Sequence, residues 1–242
     1  YMRKTLLITF STRDQESLTH ILKGFSKNNN INLIISNNNN IDSLQTLWDN
    51  YRIDNITNLL LMINEFIDKE SFNIDIIIQA AATTTGSKDV VMQPFVHVTD
   101  NAVMNACLFR NAYINKVKHV IFFSCTTMYK SSKKPIKENN FNPLKDIDPK
   151  YFGVATTKVY NENMCDFFSR LGNTKYTAIR HSNIYGPYDK YDLERSHVFG
   201  ATITKVMTAK KEVIVWGKGT EERDLLHIDD LVNFVKLKYP IF

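Results

Sequence analysis

Glycine is scarce in this chain, with 8 among 242 residues and none ahead of Gly24. The shortage matters most near the N-terminus. There a short apolar run, Leu6–Phe10, stops at a polar patch and becomes a helix-like pattern with Leu18, Ile21 and Leu22 on one face. Strand, tight turn and helix is the arrangement that holds a diphosphate on helix N-terminal amides, and glycine usually lets the backbone approach it. Phe10, Arg13 and Glu16 occupy that turn instead. Cysteine is equally sparse: Cys107, Cys125 and Cys165 stand alone, without metal-ligand spacing. This excludes a disulfide scaffold, predicts no metal site, and fits a reducing, cytoplasmic setting. No early apolar run is long enough to span a membrane, and no cleavable leader is evident. Lys and Arg outnumber Asp and Glu by 30 to 25, but they are spread along the chain. Without a basic stripe, no nucleic-acid partner is expected.

What the chain has is alternation. Strand-like Leu6–Phe10, Ile31–Ile35, Ile74–Ala81, His119–Ser124 and Tyr176–Ile179 are separated by helix-like Glu16–Gly24, Ile56–Lys69, Phe95–Asn115 and Phe152–Leu171. The run IDIIIQAA is apolar almost throughout, as in a strand buried on both faces. The pattern predicts an α/β fold, a Rossmann-like doubly wound parallel sheet over residues 1–183. From Ile184 the rhythm changes to loops, one helix (Val198–Ala209) and a strand (Glu212–Trp216). Residues 184–242 are therefore expected to form a small, truncated C-terminal substrate lobe.

Ligands of open α/β sheets bind beyond the carboxyl ends of the strands. Here those ends read TFSTRD, QAAATTTG, SCTTMY and RHSNIYGPYD. Together with QPFVHVTDN, a helix bearing Lys158, SHV (Ser196–Val198) and WGKGTEERDLLHIDD, they follow one another in a distinctive order. That order resembles the extended short-chain dehydrogenase/reductases. More narrowly, it resembles the NAD(P)-dependent sugar-nucleotide epimerases and dehydratases, and within them the GDP-L-fucose synthase type. The resemblance is good from Ile74 to Val232 and weak over the first 70 residues.

The resemblance implies NAD or NADP as cofactor, unless the chain has lost it, and a nucleotide-sugar partner, GDP-linked in this subgroup. It also implies a homodimer through the helices around Phe95 and Phe152. It assigns Thr9, Arg13, Asp54, Ala80, Ala81, Asn101, Lys158, His181, Asn183 and Ile184 to the cofactor side. Asn183, His197, Lys205, Trp216 and Arg223 fall on the substrate side. His197 matches the acid/base histidine of the epimerising subgroup, and Lys158 the lysine of the family's Tyr-x-x-x-Lys pair.

The departures are as informative. Four residues before Lys158, where the phenol belongs, stands Val154, and Tyr151 lies seven residues back. Tyr151 is expected to serve only if the chain is not regularly helical at Phe152-Gly153. Tyr129 and Lys133 have the formal spacing but read as strand end and loop. The Ser/Thr position of the family is Cys125, with Thr126 as the neighbouring hydroxyl. The chain stops at Phe242, soon after HIDD, whereas members of the family continue. Three readings stay open: an active epimerase or reductase using Lys158, His197, Cys125, Thr126 and Tyr151; a degenerate sugar-nucleotide-binding or regulatory subunit; and an interaction scaffold.

Overall fold

A computed structural model describes strands 5–10 and 31–36 and residues 74–82, 94–187, 189, 191, 193, 196–215, 217, 219, 220 and 222–239. In the first two strands, and at 94 and 96, it describes the backbone alone. The expected helices over 16–24 and 56–69, the Thr9 side chain, and Arg13, Asp54 and Trp216 lie outside the described residues.

Five parallel strands form the main sheet: β1 (Thr5–Phe10), β2 (Ile31–Ser36), β3 (Ile76–Gln79), β4 (His119–Cys125) and β5 (Lys175–His181). Their spatial order is β2-β1-β3-β4-β5. The order reverses between β1 and β3, which puts the ligand crevice of this α/β sheet at their carboxyl ends.

Helices α1 (Pro94–Ile114) and α2 (Phe152–Leu171) cover one face. Ile77, Val120 and Phe122 pack there with Leu108, Phe109, Met164 and Cys165. On the other face Ile76, Ile78 and Ile121 meet Ile228, Leu231, Val232 and Val235 of α4 (Ile228–Lys238), the last described helix. Alternate residues of β3 and β4 thus feed two cores, which is why both strands read as almost unbroken apolar runs. Helices α1 and α2 run side by side, and a Cβ on Gly153 would come within 2.9 Å of Val98 Cγ2.

Beyond β5 a second, two-stranded parallel sheet pairs β6 (Asn183–Tyr185) with β7 (Leu225–His227), and α3 (Val198–Thr208) lies between them in sequence. The chain changes sheet between His181 and Asn183. Helix α4, however, returns to the main sheet, so residues 228–238 pack with the first 183 rather than apart from them. The strand expected at 212–216 is not formed over 212–215. Val213, Ile214 and Val215 are exposed there, with no neighbouring strand among the described residues to pair with them.

HIDD marks the start of α4. The His227 imidazole accepts from the Asp229 amide at 3.3 Å, and Asp229 and Asp230 lie in the first helical turn, where the helix dipole favours negative charge. Gly186 is required by close approach, since a Cβ there would stand 2.6 Å from Ile228 Cγ2.

Candidate active site

The strand ends converge on Lys158. Its Nζ donates to the Phe123 carbonyl at 2.9 Å and lies 4.9 Å from the centre of the Phe122 ring. Burial pushes the amine below its ordinary range, while the Cys125 thiol and the Glu162 carboxylate favour its protonated form. His181, opposite Cys125 in the β4–β5 register, donates through Nδ1 to the Ser182 carbonyl at 2.7 Å and meets the Phe123 ring edge-on. Its pKa is lowered, chiefly by burial and further by Lys158; the Ser182 carbonyl works the other way. Cys125 and Thr126, both half-buried, follow directly at the end of β4. The structure thus gathers Lys158, Cys125, Thr126 and His181 at the ends of β4 and β5.

At the end of β3, Ala80, Ala81 and Ala82 present only methyl groups. Beneath them lies a buried polar chain. Gln79 Nε2 donates to Asn105 Oδ1 at 2.9 Å, Asn105 to the Asn101 carbonyl at 2.8 Å, and Asn101 to the His97 carbonyl at 2.8 Å. The Gln79 carboxamide also accepts from the Ala81 amide and donates to the Ala81 carbonyl, each at 3.3 Å. Of these polar side chains the resemblance names only Asn101. The sequence signal for Asn105 is polar residues four apart, at 97, 101 and 105, on one helix face, and Gln79 on β3 carries none.

Tyr151 does not take the place of the missing phenol. Helix α2 is regular from Phe152 through Gly153, so the condition under which Tyr151 was expected to serve does not hold. Tyr151 sits at its N-cap, and seven residues of helix amount to roughly 10 Å. Val154 occupies the turn before Lys158.

On the other side of the strand ends, Asn183 donates to the Asp224 carbonyl from both its amide (3.3 Å) and its side chain (3.2 Å). This fixes the segment carrying Arg223, whose guanidinium is exposed. Ile184 packs with the α4 core. Tyr185 and Phe199 pack with ring centres 4.3 Å apart, tilted by 47°, holding the start of α3 and its N-cap, His197, beside β6. Lys205 lies in the last turn of α3, roughly 12 Å along the helix from His197. Among the described residues, no group of His, Cys, Asp and Glu is arranged to hold a metal ion.

Residues 20–238 match the NAD dependent epimerase/dehydratase family. The chain belongs to that family. Curated relatives within this epimerase/dehydratase group include the GDP-L-fucose synthase of Escherichia coli (strain K12), 26% identical over 174 residues. That match covers 70% of this chain and 53% of the relative. The GDP-L-fucose synthase of Sinorhizobium fredii is 29% identical over 163 residues, covering 64% and 50%. The chain spans about half the length of these relatives. Among solved structures, a GDP-D-glycero-L-gluco-heptose synthase from Campylobacter jejuni, determined in the presence of NADPH, matches with a TM-score of 0.77 at 17% identity. It covers 99% of this chain and 74% of that one. A GDP-L-fucose synthetase from Naegleria fowleri bound to NADP matches with a TM-score of 0.72 at 17% identity, covering 97% and 72%. At such identities the structural matches establish the Rossmann-like fold, and the family assignment rests on the sequence match.

Proposed function

We propose that this chain carries the dinucleotide-binding part and a portion of the sugar-nucleotide site of an NAD(P)-dependent, GDP-sugar epimerase or reductase. One observation carries this reading: Lys158 is held at the ends of β4 and β5, beside Cys125, Thr126 and His181. A buried amine at that place can hold a ribose hydroxyl and favour a neighbouring proton transfer. The alanines at the end of β3 fit a dinucleotide lying across the strand ends, because methyl groups leave the backbone approachable.

Bound there, the nicotinamide supplies hydride transfer. The protein's part is orientation and proton handling. Lys158 donates to hydroxyls, Thr126 offers a hydroxyl beside Cys125, and His181, Asn183 and Ile184 wall the crevice. Arg223 and Lys205 supply cations for a diphosphate, and His197 is the acid/base for epimerisation. The enzyme is read as a cytoplasmic homodimer, pairing through the outward faces of α1 and α2, where Phe95, Val103, Phe152, Tyr160 and Phe167 are exposed.

Val154, one turn before Lys158, favours a second reading, a sugar-nucleotide binder that has lost proton transfer. Thermal-shift and calorimetric titration with NAD⁺, NADPH, GDP and GDP-mannose separates the two, since a ligand of the native state raises its melting point. Micromolar dinucleotide binding together with GDP binding supports the enzyme. GDP binding alone supports the binder, and silence from all four overturns both.

A further inference from the structure

Arg180, next to His181 at the end of β5, makes an unusually complete set of contacts. Its Nη2 and Nε meet the Glu162 carboxylate at 2.7 and 3.0 Å, with both side chains more than four-fifths buried. Its Nη1 donates to the Tyr129 hydroxyl at 2.7 Å and to the Glu138 carbonyl at 3.3 Å. The guanidinium also faces the Tyr129 and Phe141 rings, with centres at 5.6 and 5.2 Å, and these two rings pack edge to face. Glu162 lies one helical turn after Lys158. Tyr129, Glu138 and Phe141 belong to the connection between β4 and α2, which starts at Thr126 and ends at Tyr151.

Between those contacts the connection lies open to solvent. Residues 130–140 are all exposed, and they include Lys133, Lys134 and Lys137. Its internal bonds are local, among them the Lys130 amide on the Asp146 carbonyl at 3.1 Å, the Asn142 amide on Asp146 Oδ2 at 2.7 Å and the Lys134 amide on Ser132 Oγ at 3.1 Å. Arg180 grips it on both sides of the lysine-rich stretch.

We propose that Glu162 and Arg180 are positioning residues. Arg180 latches the β4–α2 connection onto the sheet, and Glu162 anchors that latch to the helical turn of Lys158, so that the lysine, the His181 strand end and the Thr126 end of the connection move as one unit. A fork of donors is what the latch needs, because one guanidinium must satisfy a carboxylate, a phenol and a carbonyl at once. The functional meaning of the latch rests on Lys158 being the active-site lysine. Its test uses no turnover, so its failure would leave the epimerase reading standing.

The groups facing Lys158 are Cys125 from β4, Glu162 from α2 and His181 from β5. Two conservative variants, each first shown to keep the native circular dichroism spectrum, test the two halves. Arg180→Lys keeps the charge but loses the fork. Trypsin should then cut after Lys133 and Lys137 about fivefold faster, as expected for losing one or two hydrogen bonds from an opening equilibrium. Its Lys158 should titrate as in the parent.

Glu162→Gln removes the charge while keeping the shape. The midpoint of Lys158 acetylation by acetic anhydride, followed by mass spectrometry against pH, should fall. A merely loosened structure would instead relieve burial and raise that midpoint. Unchanged cleavage in Arg180→Lys, or an unchanged or raised Lys158 midpoint in Glu162→Gln, overturns the proposal.

Discussion

At the scale of single residues, the site shows what a buried cation does to a fold. Lys158 keeps one carbonyl and one ring as partners, and burial works against its charge. Replacing such a group by an apolar side chain of similar length commonly stabilises a protein while removing its function. Lys158→Met should therefore raise the melting temperature of the ligand-free protein, by about 0.5–2 kcal/mol of stability, and abolish any shift produced by NADPH. Scanning fluorimetry with and without the dinucleotide checks both; an unstable variant would show that the lysine holds the strand ends together. His181 gives the pH dependence. Its folded pKa lies below the ordinary value, so the unfolded chain binds the proton more readily. Stability is then full above the unfolded pKa, near 6.5, and is lost as the pH falls through the lower folded value. Urea midpoints measured from pH 7.5 down to pH 5 should decline in the parent and decline less in His181→Gln.

Elements report how the sequence builds the site. Gly153 is where α2 comes closest to α1, and a Cβ at 2.9 Å from the Val98 methyl leaves no room for branching. Gly153→Val should cost about 1–3 kcal/mol by overpacking, and Val98→Ala in the same chain should restore part of it, as a double-mutant cycle in denaturant would measure. Most of this element-level architecture could be read from the chain. The two-faced burial of β3 and β4 writes itself as unbroken apolar runs, and α2 was bounded at Phe152 and Leu171 by its periodicity. Strands β6 and β7 were missed because three residues are too few to show a period, and α4 because its polar start, His227 to Asp230, hides the apolar face behind it. Val213–Val215 misled in the opposite direction, since β-branched residues read as strand whether or not a partner exists. In the site, Lys158 was legible from a motif. The Arg180–Glu162–Tyr129 set was not, because its members lie 18 and 51 positions apart and meet only once β5 lies beside α2.

The whole molecule presents a face that the fold of one chain leaves open. On α2, Phe152, Tyr160, Phe167 and Leu171 recur at spacings of eight, seven and four, and all are exposed. On α1, Phe95, Val103 and Ile114 recur at eight and eleven and are exposed as well. Seven, four and eleven residues come close to whole numbers of helical turns. Tyr160, Phe167 and Leu171 therefore form one outward stripe on α2 and Val103 and Ile114 one on α1, with Phe152 and Phe95 roughly 80° to one side. The inward stripes of the same two helices already fill the core beneath them. A second copy, related by a two-fold axis, would lay the same four stripes against one another and remove them from water, as a self-complementary interface requires. Sedimentation velocity at micromolar concentration should show a dimer. Tyr160→Glu with Phe167→Glu should give a folded monomer, because both side chains are more than half exposed. Lys158 and Arg180 work on the opposite, sheet-facing side of α2. The monomeric variant should therefore still bind whatever dinucleotide or GDP the parent binds, and loss of binding on dissociation would mean that the partner copy completes the site.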